Sequence, residues 1–286
     1  MATKVGVVLS SGGVRGVYGH TGFLQTLQKL NLEIAACSGS SAGAFVGGII
    51  ASGTPLERWS DSLQRIRPHD FWRPDSPAKI FYNAMIRQGK GYTGLSDPRA
   101  AIALAERNLT ATTFEQCVFP FYAVALNINR VEKVVFDSGE LAPRMIASSA
   151  MPVLYRPVVL DGEYYCDGAL VDLAPIDAIC CKHQIDVIIV HHCARPMNDA
   201  EKFKQRLKKP WPIMEIVDRL IYRHDPWYLT GEPLAEHECP GGCGAKIIVV
   251  APELDEIDWP RTEGGDVVQQ AARRQAASLL QDYFSG

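Results

Sequence analysis

The chain has 286 residues, of which 47% are hydrophobic and 21% are charged. These fractions are typical of soluble globular proteins and exclude long disorder, collagen and coiled coil. The length suffices for one large or two small domains with a sizeable core. The net charge of −3, without a block of like charges, argues against a nucleic-acid partner, because nucleic-acid binders present a basic face. This net charge is compatible with a transient contact with a membrane surface.

Eight cysteines are scattered along the chain, too few for a fold held together by disulfides. The first residues run directly into an apolar strand pattern, without the basic segment and long apolar region of a secretory signal. We therefore expect reduced thiols and a cytoplasmic protein, at most peripheral to a membrane. Residues 34–56 carry no charge, but their many serines and glycines favour a buried strand, turn and helix over a membrane span.

The first fifty residues alternate between strand and helix patterns. Residues 5–10 form an apolar run of strand length, and residues 17–30 carry apolar side chains at helical spacing. Residues 33–38 repeat the strand pattern and residues 42–52 the helical one. Strands that alternate with crossover helices form parallel sheets. We therefore predict a three-layer α/β/α fold with a mainly parallel central sheet and helices on both faces.

The rest of the chain continues this α/β pattern, and we expect a single domain over residues 1–286. Residues 56–92 are polar but rich in aromatic side chains, which indicates a helical insertion over the functional site. The dipeptide Asp161-Gly162 is typical of a two-residue hairpin turn. The other predicted elements are helices at 97–107, 175–182 and 267–283, and strands at 119–128, 131–137, 158–160, 164–166, 185–190 and 246–251. Residues 176–286 would thus complete the sheet and its helices.

The motif Gly39-Ser40-Ser41-Ala42-Gly43 has the form G-x-S-x-G and lies between a predicted strand and a predicted helix. The motif alone is weak, since chance matches are common and a glycine-rich turn is the alternative. Its position strengthens it, because a sharp strand-to-helix turn needs glycines on both sides of the serine. Such a turn exposes the Ser41 hydroxyl near a helix N-terminus, which stabilises negative charge. Ser41 is therefore a candidate nucleophile.

A second glycine-rich loop, Ser11-Gly12-Gly13-Val14-Arg15-Gly16, follows the first predicted strand. Adjacent parallel strands place their outgoing loops side by side, so this loop should lie against Ser41. Its backbone N–H groups would then bind the oxyanion of a tetrahedral intermediate. The alternative is a dinucleotide- or phosphate-binding loop of the G-x-G-x-x-G type. We favour the oxyanion loop, because Ser11 replaces the first glycine of that motif and no acidic residue ends the second strand.

The tripeptide Asp167-Gly168-Ala169 supplies a candidate base. Asp-Gly pairs usually mark turns, and Asp161-Gly162 shortly before it is explained in that way. Asp167 instead follows the second strand of that hairpin. A carboxylate at the end of a strand is well placed to project toward the site.

Together these three motifs resemble the patatin-like phospholipase family, whose members hydrolyse lipid acyl esters with a Ser-Asp dyad. The similarity runs from Val5 to about Pro175 and includes a small-residue segment at 147–152. It implies a lipid or lysolipid acyl-ester substrate, with Ser41 as the nucleophile and Asp167 as the base, and it implies no cofactor and no metal. It places the oxyanion-binding loop at Gly12, Gly13, Val14 and Arg15.

Two positions depart from the pattern of this family. Ser11 stands where the oxyanion loop usually opens with a glycine, which is a mild change because backbone donors bind the oxyanion. Asp172-Leu173 replaces the asparagines that are common before Pro175. This second change would alter how the turn after Asp167 is braced.

Two further alternatives remain open at this point. A silent patatin-like regulator would keep the fold without the activity. An α/β-hydrolase would add a histidine after Asp167, and the candidates are His183, His191, His192, His224 and His237. That fold builds several strands before its nucleophile turn, whereas only one clear strand precedes the one that leads to Ser41. We expect His20, in the first predicted helix, to pack in the core or brace a loop.

His237, Cys239 and Cys243 have the spacing of metal ligands. A fourth ligand would have to come through the fold from Cys193, His192 or His224. A tight turn with two reduced thiols is the favoured interpretation. We expect the neighbouring cysteines Cys180-Cys181 to lie in a helix, in the core.

Two segments are candidates for lipid contact. Residues 56–92 are the better candidate for a wall that binds the acyl chain, because of their aromatic side chains. A second apolar stripe at helical spacing comprises Ile213, Ile216, Val217, Leu220 and Ile221. For this stripe a core-facing helix is favoured over a lid or a lipid-binding surface.

Overall fold

The computed structural model describes residues 4–183, 185–193, 200–208, 212, 215–216, 219 and 226–284, so His224 and most of the apolar stripe at 213–221 lie outside the described residues. The strands are Lys4–Leu9 (β1), Glu33–Ser40 (β2), Gly94–Ser96 (β3), Phe121–Asn127 (β4), Glu132–Phe136 (β5), Val153–Tyr155 (β6), Val158–Leu160 (β7), Glu163–Asp167 (β8), Val187–His191 (β9), Leu234–Glu238 (β10) and Lys246–Val250 (β11). The helices are Gly13–Lys29 (α1), Ala42–Ala51 (α2), Leu56–Leu63 (α3), Pro68–Phe71 (α4), Pro77–Phe81 (α5), Arg99–Asn108 (α6), Leu141–Ser149 (α7), Ala200–Arg206 (α8) and Gly265–Phe284 (α9). A π-helical turn at Tyr82–Ile86 continues α5, and 3-10 turns lie at Phe114–Gln116, Gly168–Leu170 and Ile176–Ala178.

In the described part of the chain, nine strands form one sheet in the order β10-β11-β9-β1-β2-β4-β8-β7, with β5 also paired to β4. The five central strands from β11 to β4 are parallel. β10 at one end and β5, β8 and β7 at the other pair in the antiparallel sense. The predicted α/β fold with a mainly parallel central sheet is confirmed.

Side chains of β1 alternate between two apolar cores, because successive residues of a strand point to opposite faces of the sheet. Val7 and Leu9 belong to the larger core, to which α1, α2, α7 and α9 contribute buried side chains. Val8 belongs to a smaller core together with Ile179 and Ile188. The sheet is therefore covered on both faces, and the ends of its central strands are available to form a site.

Strand β4 brings the ends of two other strands together. On one edge of β4, β2 pairs with the first half, so that Ser40 lies opposite Val124. On the same edge β8 pairs with the second half in the opposite direction, so that Asp167 lies opposite Ala125. β5 occupies the other edge. The carboxyl ends of β2 and β8 therefore meet at adjacent positions along β4.

Most of the predicted elements are confirmed, but the helix predicted at 175–182 is wrong. Only the 3-10 turn Ile176–Ala178 forms there, and Cys181 has a φ of 62°, which is incompatible with a right-handed helix. Two elements of the structure were not predicted from the sequence: β10, which pairs with β11 at the edge of the sheet, and α7, which packs beneath the site.

Candidate active site

Ser41 occupies the sharp turn between β2 and α2. Its backbone has a φ of 54° and a ψ of −118°, a conformation that is unfavourable for a residue with a side chain. Its N–H donates a hydrogen bond of 3.0 Å to Ser148 Oγ, and its carbonyl oxygen lies 2.9 Å from Ser149 Oγ. The strained turn is thus held by α7 and is not free to relax.

The two glycines of the G-x-S-x-G motif are required by close packing. A Cβ atom at position 43 would lie 2.0 Å from the carbonyl oxygen of Leu9. One at position 39 would lie 2.4 Å from the carbonyl carbon of Gly43. α2 therefore begins in direct contact with the strands, as the sequence motif predicts for a nucleophile turn.

Ser41 and Asp167, separated by more than a hundred positions in the sequence, are in direct contact. Ser41 Oγ donates a hydrogen bond of 2.8 Å to Asp167 Oδ2. The other carboxylate oxygen, Oδ1, accepts a hydrogen bond of 2.9 Å from the backbone N–H of Ala169. Ser41 is 6% exposed and Asp167 1% exposed, so this contact is almost completely shielded from water. The arrangement orients one carboxylate oxygen toward a serine hydroxyl.

The glycine-rich loop after β1 lies beside this pair. Leu9 at the end of β1 pairs with Gly39 of β2, so the two outgoing turns emerge next to each other. α1 begins at Gly13, and its first helical hydrogen bond runs from Gly16 N to Gly12 O. Backbone N–H groups of a first helical turn have no partner within their helix and attract anions. The structure thus brings the loop and Ser41 together, as the strand order predicts.

The side chain of Arg15 does not point into the site. Its guanidinium donates hydrogen bonds to the carbonyl oxygens of Cys193 and Leu254, the latter at 3.4 Å. Ser11 contributes its backbone N–H to the carbonyl oxygen of Leu173 at 2.8 Å. Both residues therefore anchor the loop to segments that follow β9, β11 and Asp167.

His20 braces the same loop from below, as expected from its place in the first helix. His20 Nε2 lies 2.7 Å from the carbonyl oxygen of Ser10, and His20 Nδ1 lies 2.8 Å from His191 Nδ1. A carbonyl oxygen only accepts, so Nε2 carries the hydrogen and Nδ1 is left to accept from His191. Burial lowers the pKa of His20 to about 4, although the hydrogen bond to Ser10 opposes this shift. The pair is therefore neutral and structural.

An apolar pocket opens at Ser41. Its wall includes Val14 and Val17 of α1, Phe45 of α2, and Ile146 of α7. The segment 56–92 and later parts of the chain also contribute to the lining, among them Leu63, Ile66, Phe71, Tyr155 and Trp259. Gly13 and Ala42, at the starts of two helices, line the end of the pocket that contains Ser41. The serine hydroxyl therefore lies between an apolar cavity and two helix N-termini.

The histidines that follow Asp167 are engaged elsewhere in the described part of the chain. His183 bonds to Tyr122, and His192 bonds to the hydroxyl of Tyr228. His237 Nε2 bonds to the backbone carbonyl of Tyr228 at 2.8 Å. These contacts direct the three imidazoles to other parts of the fold, while His191 faces His20 as described above.

The cysteines show the largest departure from the sequence prediction. Cys180 and Cys181 lie in a turn, not in a helix, and Cys181 is exposed. They meet Cys239 and Cys243, so these two thiols are not an isolated pair in a tight turn. None of the described candidates for a fourth ligand reaches this group: His192 bonds to Tyr228, and Cys193 lies beside His20 and His191. His237 bonds to the backbone carbonyl of Tyr228 and is not one of the four residues that meet here.

The sequence profile of the family described as patatin-like phospholipase matches residues 7–179. This span contains the glycine-rich loop, Ser41 and Asp167. The chain belongs to the patatin-like phospholipase family. The resemblance read from the three sequence motifs is confirmed.

Two curated relatives of this patatin-like chain illustrate its place in the family. An uncharacterized NTE family protein of Mycobacterium tuberculosis is 31% identical over 201 residues, which cover 69% of this chain and 52% of the relative. Lysophospholipase NTE1 of Cryptococcus neoformans is 29% identical over 189 residues, covering 65% of this chain and 11% of that protein. The patatin-like chain thus spans about half the length of the mycobacterial relative and a small part of the fungal one.

Among solved structures, human GIVD cytosolic phospholipase A2 aligns with 99% of the patatin-like chain and 62% of its own chain. The TM-score is 0.54 and the sequence identity is 9%. At this identity the comparison establishes a shared fold and nothing further.

Proposed function

We propose that this chain is a serine lipid acyl hydrolase of the phospholipase, lysophospholipase or carboxylesterase type, which cleaves fatty-acyl esters through an acyl-serine intermediate. The observation that carries the proposal is the 2.8 Å hydrogen bond from Ser41 Oγ to Asp167 Oδ2 at the mouth of an apolar pocket. Ser41 is the nucleophile and Asp167 is the general base. No cofactor or metal takes part in these steps.

Acylation begins when Asp167 accepts the proton of Ser41 Oγ while that oxygen attacks the ester carbonyl carbon. The carbonyl oxygen becomes an oxyanion in the tetrahedral intermediate. Collapse of this intermediate breaks the ester bond, and the leaving alcohol takes the proton from Asp167. The acyl chain is then bound to Ser41. In the second half of the reaction a water molecule gives a proton to Asp167 and attacks the acyl-serine carbonyl carbon. Collapse of this second tetrahedral intermediate breaks the bond to Ser41 Oγ, which takes the proton back from Asp167 as the fatty acid is released.

Oxyanion stabilisation has to supply much of the rate, because a carboxylate is a weak base for a hydroxyl group. The backbone N–H groups of the loop at Gly12, Gly13, Val14 and Arg15 are the proposed donors. Each such donor lowers the barrier by about 3 kcal/mol in comparable sites. The anchoring of this loop by Ser11, Arg15 and His20 supports the proposal, since preorganised donors need no rearrangement during the reaction.

The pocket lining supports a fatty-acyl chain as the part of the substrate that is bound. The wall is formed almost entirely by aliphatic and aromatic side chains, which offer an alkyl chain burial but no hydrogen bonds. The names of the fungal relatives, which are called lysophospholipases, also favour a lipid ester. The polar part of the substrate would then lie on the solvent side of Ser41.

An exposed apolar patch supports a transient contact with a membrane surface. Phe81, Met85 and Ile86 are 64%, 64% and 66% exposed, whereas Asn83 of the same turn is buried. The exposed cations Arg87 and Lys90 follow directly. Apolar side chains flanked by cations are typical of segments that lie on anionic lipid surfaces. No helix in the described part of the chain is both long and apolar enough to cross a bilayer.

A fluorophosphonate probe tests the proposed function directly. We expect covalent labelling at Ser41, located by peptide mass spectrometry, and hydrolysis of p-nitrophenyl esters that varies with acyl-chain length. Ser41→Ala and Asp167→Asn should fold normally but lower the turnover by at least about 10³-fold. Ser52→Ala, which changes a buried serine at the far end of α2, is the matched control and should retain activity.

The contrary outcomes separate the alternatives. A folded wild-type protein that neither reacts with the probe nor hydrolyses esters would favour a silent regulator or a phosphate-binding protein that uses the loop at 11–16. Tight binding of a dinucleotide by the same protein would select the second of these. Full activity in the Asp167→Asn variant would mean that the base is misassigned.

A further inference from the structure

Four cysteines from two distant segments converge at the edge of the sheet. Cys180 and Cys181 lie in the turn after Ile176–Ala178, and Cys239 and Cys243 flank the loop that joins β10 to β11. Their four sulfur atoms all lie within 4.8 Å of one another. None of these residues lines the apolar pocket at Ser41. The cluster is therefore separate from the proposed hydrolase site.

Three of the distances between the sulfur atoms are close to those of a tetrahedron of thiolates around one ion. Cys180 Sγ lies 3.8 Å from Cys181 Sγ and 3.7 Å from Cys243 Sγ, and Cys181 Sγ lies 3.5 Å from Cys239 Sγ. A zinc ion with Zn–S bonds of about 2.3 Å sets its four sulfur ligands about 3.8 Å apart. The closer pair, Cys180 and Cys239 at 2.8 Å, has to move apart by about 1 Å to reach this geometry.

The loop Cys239-Pro240-Gly241-Gly242-Cys243 has the local structure of a metal-binding turn. Its C-x₃-C spacing falls in the range that structural zinc sites use. The N–H of Gly241 donates to Cys239 Sγ at 3.3 Å, and the N–H of Gly242 donates to the carbonyl oxygen of Cys239 at 3.0 Å. An N–H bond to sulfur stabilises the thiolate form that a metal requires. The turn thus presents both of its cysteines on one side.

Gly241 is required by the cluster itself. A Cβ atom at this position would lie 2.9 Å from Cys181 Sγ and 3.5 Å from Cys239 Sγ. A side chain there would fill the space that the thiols share. Cys181 contributes from the other segment with a φ of 62°, a strained conformation, and its sulfur lies 3.5 Å from Cys239 Sγ in the loop. Both segments are therefore shaped around the meeting point of the four sulfurs.

We propose that Cys180, Cys181, Cys239 and Cys243 form a tetrathiolate site for a structural Zn²⁺ ion. On binding, each ligating thiol releases its proton to solvent and its sulfur donates an electron pair to the ion, so that no oxidation or reduction occurs. The ion fastens the β10–β11 loop to the turn at 180–181. It thereby closes one end of the sheet across 58 residues of sequence separation between Cys181 and Cys239.

A disulfide between Cys180 and Cys239 is the competing interpretation. It would use two of the four sulfurs and leave the approach of Cys181 and Cys243 without a cause. It would also give no reason for a glycine at position 241 facing Cys181 Sγ. The tetrathiolate site accounts for all four thiols and for the glycine, and it is therefore the interpretation that we adopt.

The first test measures the metal content of the purified full chain by inductively coupled plasma mass spectrometry. We expect about one zinc ion per chain in the wild-type protein. Cys243→Ser and Cys181→Ser, which change exposed thiols, should lose most of the bound zinc. Cys117→Ser, a partly buried cysteine outside the cluster, is the matched control and should retain it. Gly241→Ala should weaken zinc binding at least tenfold in a competition with a chromogenic chelator.

A second measurement applies to wild-type protein alone and does not depend on the folding of any variant. Zinc is removed with a chelator under reducing conditions, and Co²⁺ is added as a spectroscopic probe. We expect saturation at one equivalent, with thiolate-to-cobalt charge-transfer bands and the intense visible bands of tetrahedral Co²⁺. Removal of the zinc should lower the melting temperature, and addition of Zn²⁺ should restore it.

Three outcomes would overturn the proposal. The first is reduced wild-type protein that binds neither zinc nor cobalt. The second is a Cys180–Cys239 disulfide found by mass spectrometry in protein purified under reducing conditions. The third is zinc that is retained in both cysteine variants, which would place the ion elsewhere, for example at the buried group formed by His20, His191 and Cys193. Ester hydrolysis is not the readout, so the two proposals stand or fall separately.

Discussion

The backbone N–H of Ser41 donates a hydrogen bond to the hydroxyl oxygen of Ser148, the penultimate residue of α7. Ser148 in turn donates its own hydrogen to the carbonyl oxygen of Val124 in β4. One buried hydroxyl therefore links the nucleophile turn to the strand that also positions Asp167. This link explains how the unfavourable backbone conformation of Ser41 is maintained.

The Ser148→Ala variant removes this link and leaves the N–H of Ser41 without its acceptor. A buried polar group without a partner costs about 1–3 kcal/mol of stability. We expect a loss in that range by urea denaturation, together with a fall of about tenfold in kcat for ester hydrolysis because Ser41 is less well oriented. Ser52→Ala removes a buried hydroxyl with comparable bonds and should reduce stability alone. Unchanged hydrolysis by Ser148→Ala would show that the turn is held without this contact.

The nucleophile turn and the oxyanion loop could be predicted from the sequence because both depend on local signals. A strand, a few glycines and a helix that follow one another determine where Ser41 and Gly13 lie. The position of Asp167 is different, since it depends on β2 and β8 sharing one edge of β4. That pairing joins distant segments and has no local signature. The end of a strand before Gly168 made Asp167 a candidate base, and the family resemblance is what paired it with Ser41.

Two features of the structure could not be read from the sequence for related reasons. Ser148 lies in a segment of small residues, where nothing distinguishes a bridging hydroxyl from its neighbours. Cys180 and Cys181 follow apolar residues at helical spacing, which predicted a helix. The surroundings of Cys180 and Cys181 depend instead on a tertiary contact with the β10–β11 loop. Local periodicity does not contain this information.

The buried histidines predict an acid-sensitive fold. Burial lowers the pKa of His20 to about 4 and that of His192 to about 3, with Arg15 adding to the second shift. The pKa of His191 is also lowered by burial and by its neighbours. In the unfolded chain these groups accept protons at about pH 6.5. Between that pH and about 4 the unfolded state binds more protons than the folded one, so stability falls as the pH falls.

For His20 the difference between the two pKa values corresponds to about 3 kcal/mol across this pH window. We expect the urea midpoint to decrease markedly from pH 7.5 to pH 5. The His20→Gln variant, whose amide N–H₂ is able to donate to Ser10 O, should show a weaker pH dependence. An equal dependence in both proteins would mean that other groups control acid unfolding.

Lys133 neutralises a half-buried carboxylate in the segment that follows Asp167. Its Nζ lies 2.6 Å from Asp172 Oδ2 and 2.6 Å from Asp177 Oδ1. Burial nevertheless raises the pKa of Asp172, although Lys133 opposes this shift. The backbone N–H of Asp172 donates to the carbonyl oxygen of Gly168 at 2.8 Å, so this ion pair braces the Asp-Gly-Ala turn.

The Lys133→Met variant should lose about 2 kcal/mol of stability at pH 7.5, because Asp172 then keeps its charge without a cation. In this variant the pKa of Asp172 in the folded state rises further above its value in the unfolded chain. As the pH falls, Asp172 is therefore protonated in the folded state at a higher pH than in the unfolded state. The lost stability should therefore return toward pH 5 in urea denaturation. Adding Asp172→Asn should restore it at neutral pH. Lys4→Met, at a pair that is exposed on both sides, should have little effect.

The proposed membrane contact predicts two different responses to changes in the exposed patch at Phe81, Met85 and Ile86. Hydrolysis of lipid in vesicles should be affected, whereas hydrolysis of soluble esters should not. The insertion that carries this patch is tied to the pocket wall, since Tyr155 Oη donates to the carbonyl oxygen of Phe71 at 2.9 Å. The double variant Phe81→Ser/Ile86→Ser removes two large apolar side chains from the surface without touching the pocket. Loss of this much apolar area should weaken vesicle binding about tenfold or more.

Co-sedimentation with anionic phosphatidylcholine–phosphatidylserine vesicles measures the binding, and release of fatty acid from the same vesicles measures the reaction. We expect both to fall in the double variant, while turnover of a short soluble p-nitrophenyl ester stays within about twofold of the wild-type rate. Val118→Ser, which removes an apolar side chain of similar exposure on another surface, should change neither measurement. An equal loss of hydrolysis on vesicles and on the soluble ester would instead indicate damage to the pocket. Unchanged vesicle binding by the double variant would show that the patch is not the site of membrane contact.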